Sequence, residues 1–317
     1  MSNKINMKSI STEARLKESE HIDTLNTIEI LNIINNQDAL VHLAVKKALP
    51  QIEKVVDAAV ESIKQGGRII YIGAGTSGRM GLMDAVECPP TFSVSSDLVV
   101  GLLAGGMGAF SKAVEGAEDN SQLGEDDVKA LNINESDILI GIAASGRTPY
   151  VIGAIKYAKT VGAKTSCIVT SSNSTLASIV DYPIEAVTGS EVITGSTRMK
   201  SGTAQKMICN MISSATMIRL GKVYQNYMID VCPTNEKLVE RTLKIISDAC
   251  SIERSESLSL YEKYNSPKKA IFAYFTKIED SDEIDELLNK YNGHLTNALK
   301  GELKWLNKSK LIHMDIY

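Results

Sequence analysis

Short β-branched runs that alternate with helix-forming stretches constrain this chain more than any other feature. Arg68-Ile69-Ile70-Tyr71-Ile72-Gly73 follows the glycine stop Gly66-Gly67. It is apolar at consecutive positions, the pattern of a strand buried on both faces. Similar runs cover 98–103, 137–143 and 165–170, with a weaker one at 182–187, and helical patterns fall between most of them, including 149–161. Such strands, joined by helices, belong to a parallel sheet, because each connection must cross over to bring the next strand back in the same direction. The expected class is α/β, a mainly parallel sheet flanked by helices.

The flanking segments are helical in pattern. Residues 1–22 are polar and are expected to pack late or fray. From 24 to about 65, Leu25, Ile28, Leu31 and Ile34, then Val41, Ala44, Ala48, Ile52, Val55 and Val56, recur at helix spacing. A long helix near 197–220 closes the α/β region. Residues 236–317 read as charged helices carrying Trp305 and several Tyr and Phe, a small C-terminal bundle. The expected division is an N-terminal helical segment 1–54, an α/β domain 55–222 and a C-terminal helical region 223–317.

Charge narrows the partners. Lys plus Arg is 34 and Asp plus Glu is 38, a net charge of -4. Nothing there holds a phosphodiester backbone, so nucleic acid is not an expected partner, while a small anion remains open to a locally positive site. The five cysteines, Cys88, Cys167, Cys209, Cys232 and Cys250, are odd in number and form no CxxC pair. They read as reduced thiols, not as a disulfide framework or a zinc site. His21, His42, His294 and His313 make no HExxH, so no metal is expected. The N-terminus lacks an apolar signal core, and the longest uncharged apolar stretch, 98–110, is too short to cross a membrane. The expected location is cytoplasmic.

In an open parallel sheet ligands lie beyond the carboxyl ends of the strands. Three segments there share one chemistry: Gly73-Ala74-Gly75-Thr76-Ser77-Gly78-Arg79, Ala144-Ser145-Gly146-Arg147-Thr148-Pro149, and Thr194-Gly195-Ser196-Thr197-Arg198-Met199-Lys200. Each offers hydroxyls, a glycine and a following helix N-terminus, the parts of an anion cradle. The bland alternative is that Ser, Thr and Gly only make turns and caps. Gly73-x-Gly75-x-x-Gly78 matches a dinucleotide fingerprint. However, Val94-Ser95-Ser96 stand where the ribose-binding acid would be, and the lysine of a phosphate-binding P-loop is absent.

Two carboxylates follow. Glu87 sits before Cys88-Pro89-Pro90 at the end of the first crossover helix, and Glu118 lies in Val114-Glu115-Gly116-Ala117-Glu118-Asp119 after the second strand. Glu115 and Asp119 are rivals that spacing does not exclude. Cys88 lacks a neighbouring histidine base, so it is not expected to be a nucleophile.

These blocks, together with Glu87-Cys88-Pro89-Pro90-Thr91-Phe92 and Gly195-Ser196-Thr197-Arg198-Met199-Lys200-Ser201-Gly202-Thr203-Ala204-Gln205-Lys206, resemble the N-acetylmuramic acid 6-phosphate etherase family from about residue 20 to 245. Val86 and Ser93 stand where the family often has Ser and Gly. The resemblance implies a sugar isomerase (SIS) fold, a homodimer, and no metal or organic cofactor. It implies cleavage of the D-lactyl ether of N-acetylmuramic acid 6-phosphate to N-acetylglucosamine 6-phosphate and D-lactate, in recycling of cell-wall amino sugars. By its pattern Glu87 matches the proton donor and Glu118 the base. Ser77, Ser145 and Thr148 match the phosphate-contacting hydroxyls, with Thr76 a further candidate.

The chemistry suits that set. An alkyl ether resists direct hydrolysis, but an open-chain aldehyde acidifies the C2 proton. One carboxylate can then remove it while a second, protonated carboxyl assists lactate departure from C3. Two alternatives remain. A phosphosugar isomerase would return the C2 proton to C1. A non-catalytic phosphosugar sensor would usually carry a DNA-binding module or a second copy of the domain.

Overall fold

The computed structural model describes residues 11–112, 114–231, 233 and 236–309. They form two compact units. The larger comprises the described residues up to Glu87 and Ser95–Thr216. The smaller comprises 88–94 and the described residues from Met217 onward.

The larger unit is built on the expected strands: β1 (Ile69–Gly73), β2 (Val99–Leu103), β3 (Ile138–Ile142), β4 (Lys164–Val169) and β5 (Tyr182–Glu185). They pair in the order β2-β1-β3-β4-β5, every pair parallel, with Gly73 beside Leu103 on one side and Ile142 on the other. Ile70, Ile72, Leu139, Cys167 and Val169 join one core cluster with Tyr150, Val151 and Ile155 of α6 (Pro149–Thr160) and Val128 of α5 (Ser121–Ala130). On the opposite face Tyr71 lies against Gly81 of α3 (Gly75–Phe92), and its hydroxyl reaches the Cys209 carbonyl of α7 (Lys200–Arg219) at 3.4 Å. Each fully buried aliphatic side chain contributes roughly 1.5–3 kcal/mol, against about 1 kcal/mol for a typical hydrogen bond. The interior therefore sets the fold and leaves the loop hydroxyls free for other work.

The amino edge of the sheet is locked by one acid. Asp137, fully buried, accepts from the Arg68 backbone N–H at 2.9 Å, Nε at 3.0 Å and Nη2 at 2.7 Å, and from the Asn134 N–H at 3.1 Å. Ser93, where the resemblance leads one to expect glycine, has φ +49°, a conformation that costs serine strain and glycine little.

Two expectations change. The 24–65 pattern forms two helices, α1 (Thr27–Asp38), with an Asn26/Glu29 capping box, and α2 (Val41–Lys64). Residues 11–22 do not fray: Thr12 is buried, and the buried Ser19 hydroxyl donates to the Val192 carbonyl at 2.7 Å. Residues 1–10 lie outside the described residues.

The smaller unit holds a two-residue turn, Gln225-Asn226, between the paired strands β6 (Val223–Tyr224) and β7 (Tyr227–Met228), which the helical reading of 223–317 missed. Five helices follow: α8 (Glu236–Cys250), α9 (Arg254–Tyr264), α10 (Pro267–Thr276), α11 (Ser281–Lys290) and α12 (Leu295–Ser309). Their apolar faces converge on Ile246, Ile271, Phe272, Ile284 and Leu295. Cys88, Cys167, Cys209 and Cys250 are buried thiols, and Cys232 lies outside the described residues. No helix among the described residues is long and apolar enough to cross a membrane.

Candidate active site

The strand order reverses between β1 and β3, so the crevice at their carboxyl ends is the natural ligand position. Two of the three hydroxyl-rich loops leave from these strands.

The first loop is shaped by close approach. A Cβ on Gly78 would lie 2.4 Å from the Gly73 carbonyl oxygen, and Gly75 has φ +53°, so α3 can start hard against the end of β1 only with these glycines. Thr76 and Ser77, both half-buried, fall in its first turn, where backbone N–H groups have no intrahelical partner. Helix α7 packs against them: a Cβ on Gly202 would meet Thr76 Cγ2 at 3.2 Å, and the Ser77 hydroxyl donates to Gln205 Oε1 at 2.9 Å.

The second loop carries Ser145 and Thr148, also half-buried. Thr148 is the N-cap residue of α6, yet its side chain makes no cap hydrogen bond. Among the described residues the hydroxyls of Thr76, Ser145 and Thr148 have no protein partner. Turn and cap duty requires side chain-to-backbone bonds, so it does not account for these three.

The third loop differs from the expectation of a further anion cradle. Glu191, fully buried, accepts from Lys200 N at 2.9 Å, Ser201 N at 2.9 Å and Ser201 Oγ at 2.8 Å. A protein carboxylate therefore already holds the N-terminus of α7. Thr170 Oγ1 lies 2.9 Å from Ser201 Oγ and 3.2 Å from the Ala144 carbonyl, which ties this turn to the second loop. Lys200 is buried with Nζ donating to Gln37 Oε1 at 2.8 Å. Burial pushes its pKa down, opposed by Glu191, Asp38 and Glu18.

Glu118 opens onto a cavity of about 320 Å³ lined by Ala74, Gly75, Arg79, Ala104, Glu115 and Glu118, among others. Its backbone is fixed: the Tyr150 N–H, an orphan donor at the start of α6, donates to the Glu118 carbonyl at 3.0 Å. Tyr150 in turn donates its hydroxyl to Asp127 Oδ2 at 2.6 Å. Arg79 donates from Nε to the Phe110 carbonyl at 2.9 Å and from Nη2 to the Ala109 carbonyl at 2.7 Å, holding the short helix α4 (Gly108–Ser111) to the first loop. Glu115 shares the cavity and Asp119 does not line it.

Glu87 lies elsewhere. It is exposed on α3, twelve residues after Gly75, about 18 Å along the helix at 1.5 Å per residue, and it does not line the Glu118 cavity. A crossover helix runs antiparallel to its strands, so its last turns lie toward the opposite sheet edge. Within one chain Glu87 thus stands outside the cavity onto which Glu118 opens. Glu87 shares its exposed face with Met83 and Val86.

The sequence reading assigned no role to Arg79, Gln205 or Glu191. Gln205 stood in a quoted block, four residues after Ser201 and so on the same helix face. Glu191 gave no local signal, because it reaches α7 from a loop nine residues upstream.

Comparison with known proteins agrees with this architecture. Residues 51–159 match the family model "Glucokinase regulatory protein N-terminal SIS domain", and 117–215 match "SIS domain". The chain is 50% identical over 296 residues to the N-acetylmuramic acid 6-phosphate etherase of Photobacterium profundum, covering 93% of this chain and 98% of the relative. It is 48% identical over 294 residues to the protein of the same name from Lactobacillus acidophilus, covering 93% and 99%. With that of Clostridium botulinum it shares 48% over 293 residues, covering 92% and 97%.

Proposed function

The chain belongs to the N-acetylmuramic acid 6-phosphate etherase family, and on that premise we propose that it works as a carbon–oxygen lyase whose site is completed by a second copy of the chain. The observation that carries the reading is the set of partner-free hydroxyls of Thr76, Ser145 and Thr148 on the two loops flanking the β1/β3 switch, the first of which also lines the Glu118 cavity through Ala74, Gly75 and Arg79. With Ser77, they grip the 6-phosphate and fix the sugar through binding energy far from the reacting carbons.

The reaction begins on the open-chain aldehyde. The Glu118 carboxylate takes the C2 proton, the electron pair forms the C2–C3 double bond, and the C3–O bond breaks. The leaving oxygen receives a proton from Glu87 and departs as D-lactate. Water then adds to C3, a proton returns to C2, and N-acetylglucosamine 6-phosphate results. Each proton transfer contributes typically about 10²–10⁴-fold.

Glu87 reaches this chemistry from a second copy in a homodimer. Support comes from its place twelve residues along α3 from Gly75, outside the Glu118 cavity, and from the exposed apolar residues around it, Met83 at 48% and Val86 at 57% exposure. Ile28 and Leu31 on α1 are also exposed. The reading places the enzyme in the cytoplasm, where the substrate is a free sugar phosphate and the thiols stay reduced.

The test is D-lactate release from N-acetylmuramic acid 6-phosphate in D₂O and H₂¹⁸O with chelator present. D-lactate should form, with deuterium at C2 and ¹⁸O at C3 of the sugar product. Conversion of plain N-acetylglucosamine 6-phosphate to a ketose, with no lactate from the ether, would replace this reading with the isomerase.

A further inference from the structure

The two ends of the Gln205 amide are treated unequally. The side chain is fully buried on α7. Its Oε1 accepts the Ser77 hydroxyl at 2.9 Å, while Nε2 has no hydrogen-bond partner. A buried polar group left unsatisfied costs roughly 1–3 kcal/mol, and such groups are rare enough in native proteins to require a reason. Gly202, one turn earlier, lies against Thr76, so this face of α7 rests directly on the first loop.

The pair has two arrangements. In the observed one the Ser77 hydrogen points to Gln205 Oε1. A phosphate oxygen only accepts, so Ser77 must turn that hydrogen away from Gln205 to bind it. If the amide then rotates by half a turn, Nε2 donates to the Ser77 oxygen while Ser77 donates to phosphate. In that second arrangement Nε2 gains an acceptor while Oε1 gives up its donor, so the phosphate is what selects it, and the chain Gln205–Ser77–phosphate is polarised in one direction.

We propose that Gln205 is a positioning residue for the phosphate grip, an amide that turns over to aim the Ser77 hydroxyl at the substrate phosphate. The proposal rests on the reading of Ser77 as a phosphate contact.

The experiment measures KM and kcat with N-acetylmuramic acid 6-phosphate, the inhibition constant of inorganic phosphate, and thermal stability. The variants are Ser77→Ala, Gln205→Met, Gln205→Glu and the double variant of Ser77→Ala with Gln205→Met. Met matches the volume of Gln and removes the orphan donor, so Gln205→Met should melt no lower than the parent while KM and the phosphate inhibition constant rise about three- to tenfold. Glu accepts only and adds negative charge, so Gln205→Glu should raise both by about tenfold or more, with kcat changed less than about twofold. In the Ser77→Ala background, Gln205→Met should have no further effect on either constant. Unchanged constants in Gln205→Met, or the same rise with Ser77 already removed, would overturn the proposal. If Ser77→Ala itself leaves KM and phosphate inhibition unchanged, the phosphate reading of Ser77 fails first and the role of Gln205 with it.

Discussion

Glu115 and Glu118 open onto the same cavity, and what separates them is backbone anchoring. The carbonyl of Glu118 is fastened to the first turn of α6 by the Tyr150 N–H, so its side chain starts from a fixed point at the end of the helix that Thr148 caps. A general base must be held within hydrogen-bond reach of the proton it takes, which favours the anchored residue. Glu118→Gln is therefore expected to abolish exchange of the C2 hydrogen of N-acetylglucosamine 6-phosphate with D₂O, followed by proton NMR, while binding of that product survives. Persistent exchange would move the base to Glu115. Spacing in the sequence could not make this choice, because it places both acids in one loop and says nothing of which carbonyl meets a helix N-terminus. The glycines of the first loop, by contrast, were legible: a turn in which Gly73 and Gly78 touch leaves no room for a side chain at either.

Helices α5 and α6, which follow and anchor the Glu118 loop, approach so closely that glycines stand at two of their contact points. A Cβ on Gly124 would lie 1.9 Å from the Tyr150 carbonyl oxygen, and one on Gly153 would lie 2.0 Å from that of Ser121. Gly124→Ala must push the helices apart, at a cost of about 1–3 kcal/mol in thermal or urea unfolding. Because Tyr150 also carries the Glu118 bond, turnover should fall further than the loss of folded protein explains. On the other face Asp84 joins α3 to α7 by accepting from Asn210 Nδ2 at 2.6 Å and Ser213 Oγ at 3.0 Å. Burial raises its pKa above the ordinary 3.8, with the hydrogen bonds from Asn210, Ser213 and Tyr71 working in the other direction. The folded state thus holds this proton more tightly than the unfolded chain. Stability present below pH 3.8 is lost as pH rises through the folded value. Asp84→Asn removes that loss. Its melting temperature, measured relative to the parent's, should rise from pH 4 to pH 7. A constant difference across that range would mean that the charge is not what burial penalises. The strands were readable because burial on both faces demands unbroken apolar runs. The Glu191 clasp on α7 was not, since a buried carboxylate in a loop looks in sequence like any surface acid.

At the scale of the whole molecule, Glu87 does not line the Glu118 cavity, and the helix that carries it leads away from the loop at Gly75. Twelve residues of helix already imply that course, but no sequence pattern says which other surface Glu87 meets. An exposed acid flanked by Met83 and Val86 is suited to a self-complementary contact, in which each copy gives Glu87 to the other and receives one in return. This arrangement has a consequence that a site within one chain lacks. Glu87→Gln and Glu118→Gln should each be inactive alone as homodimers. When they are unfolded together, mixed in equal amounts and refolded, half of the dimers are mixed. Each mixed dimer then has one site with both substituted residues and one with neither, so about a quarter of the parental activity should return. Recovery must also track dimer exchange, followed by light scattering and by tagging one variant. Activity that stays at the level of the single variants, despite proven mixing, would put both carboxylates to work within one chain and require another residue to assist lactate departure. Replacing Met83 with Lys should prevent both assembly and rescue, because a charge at the centre of an apolar contact costs several kcal/mol whichever copy bears it.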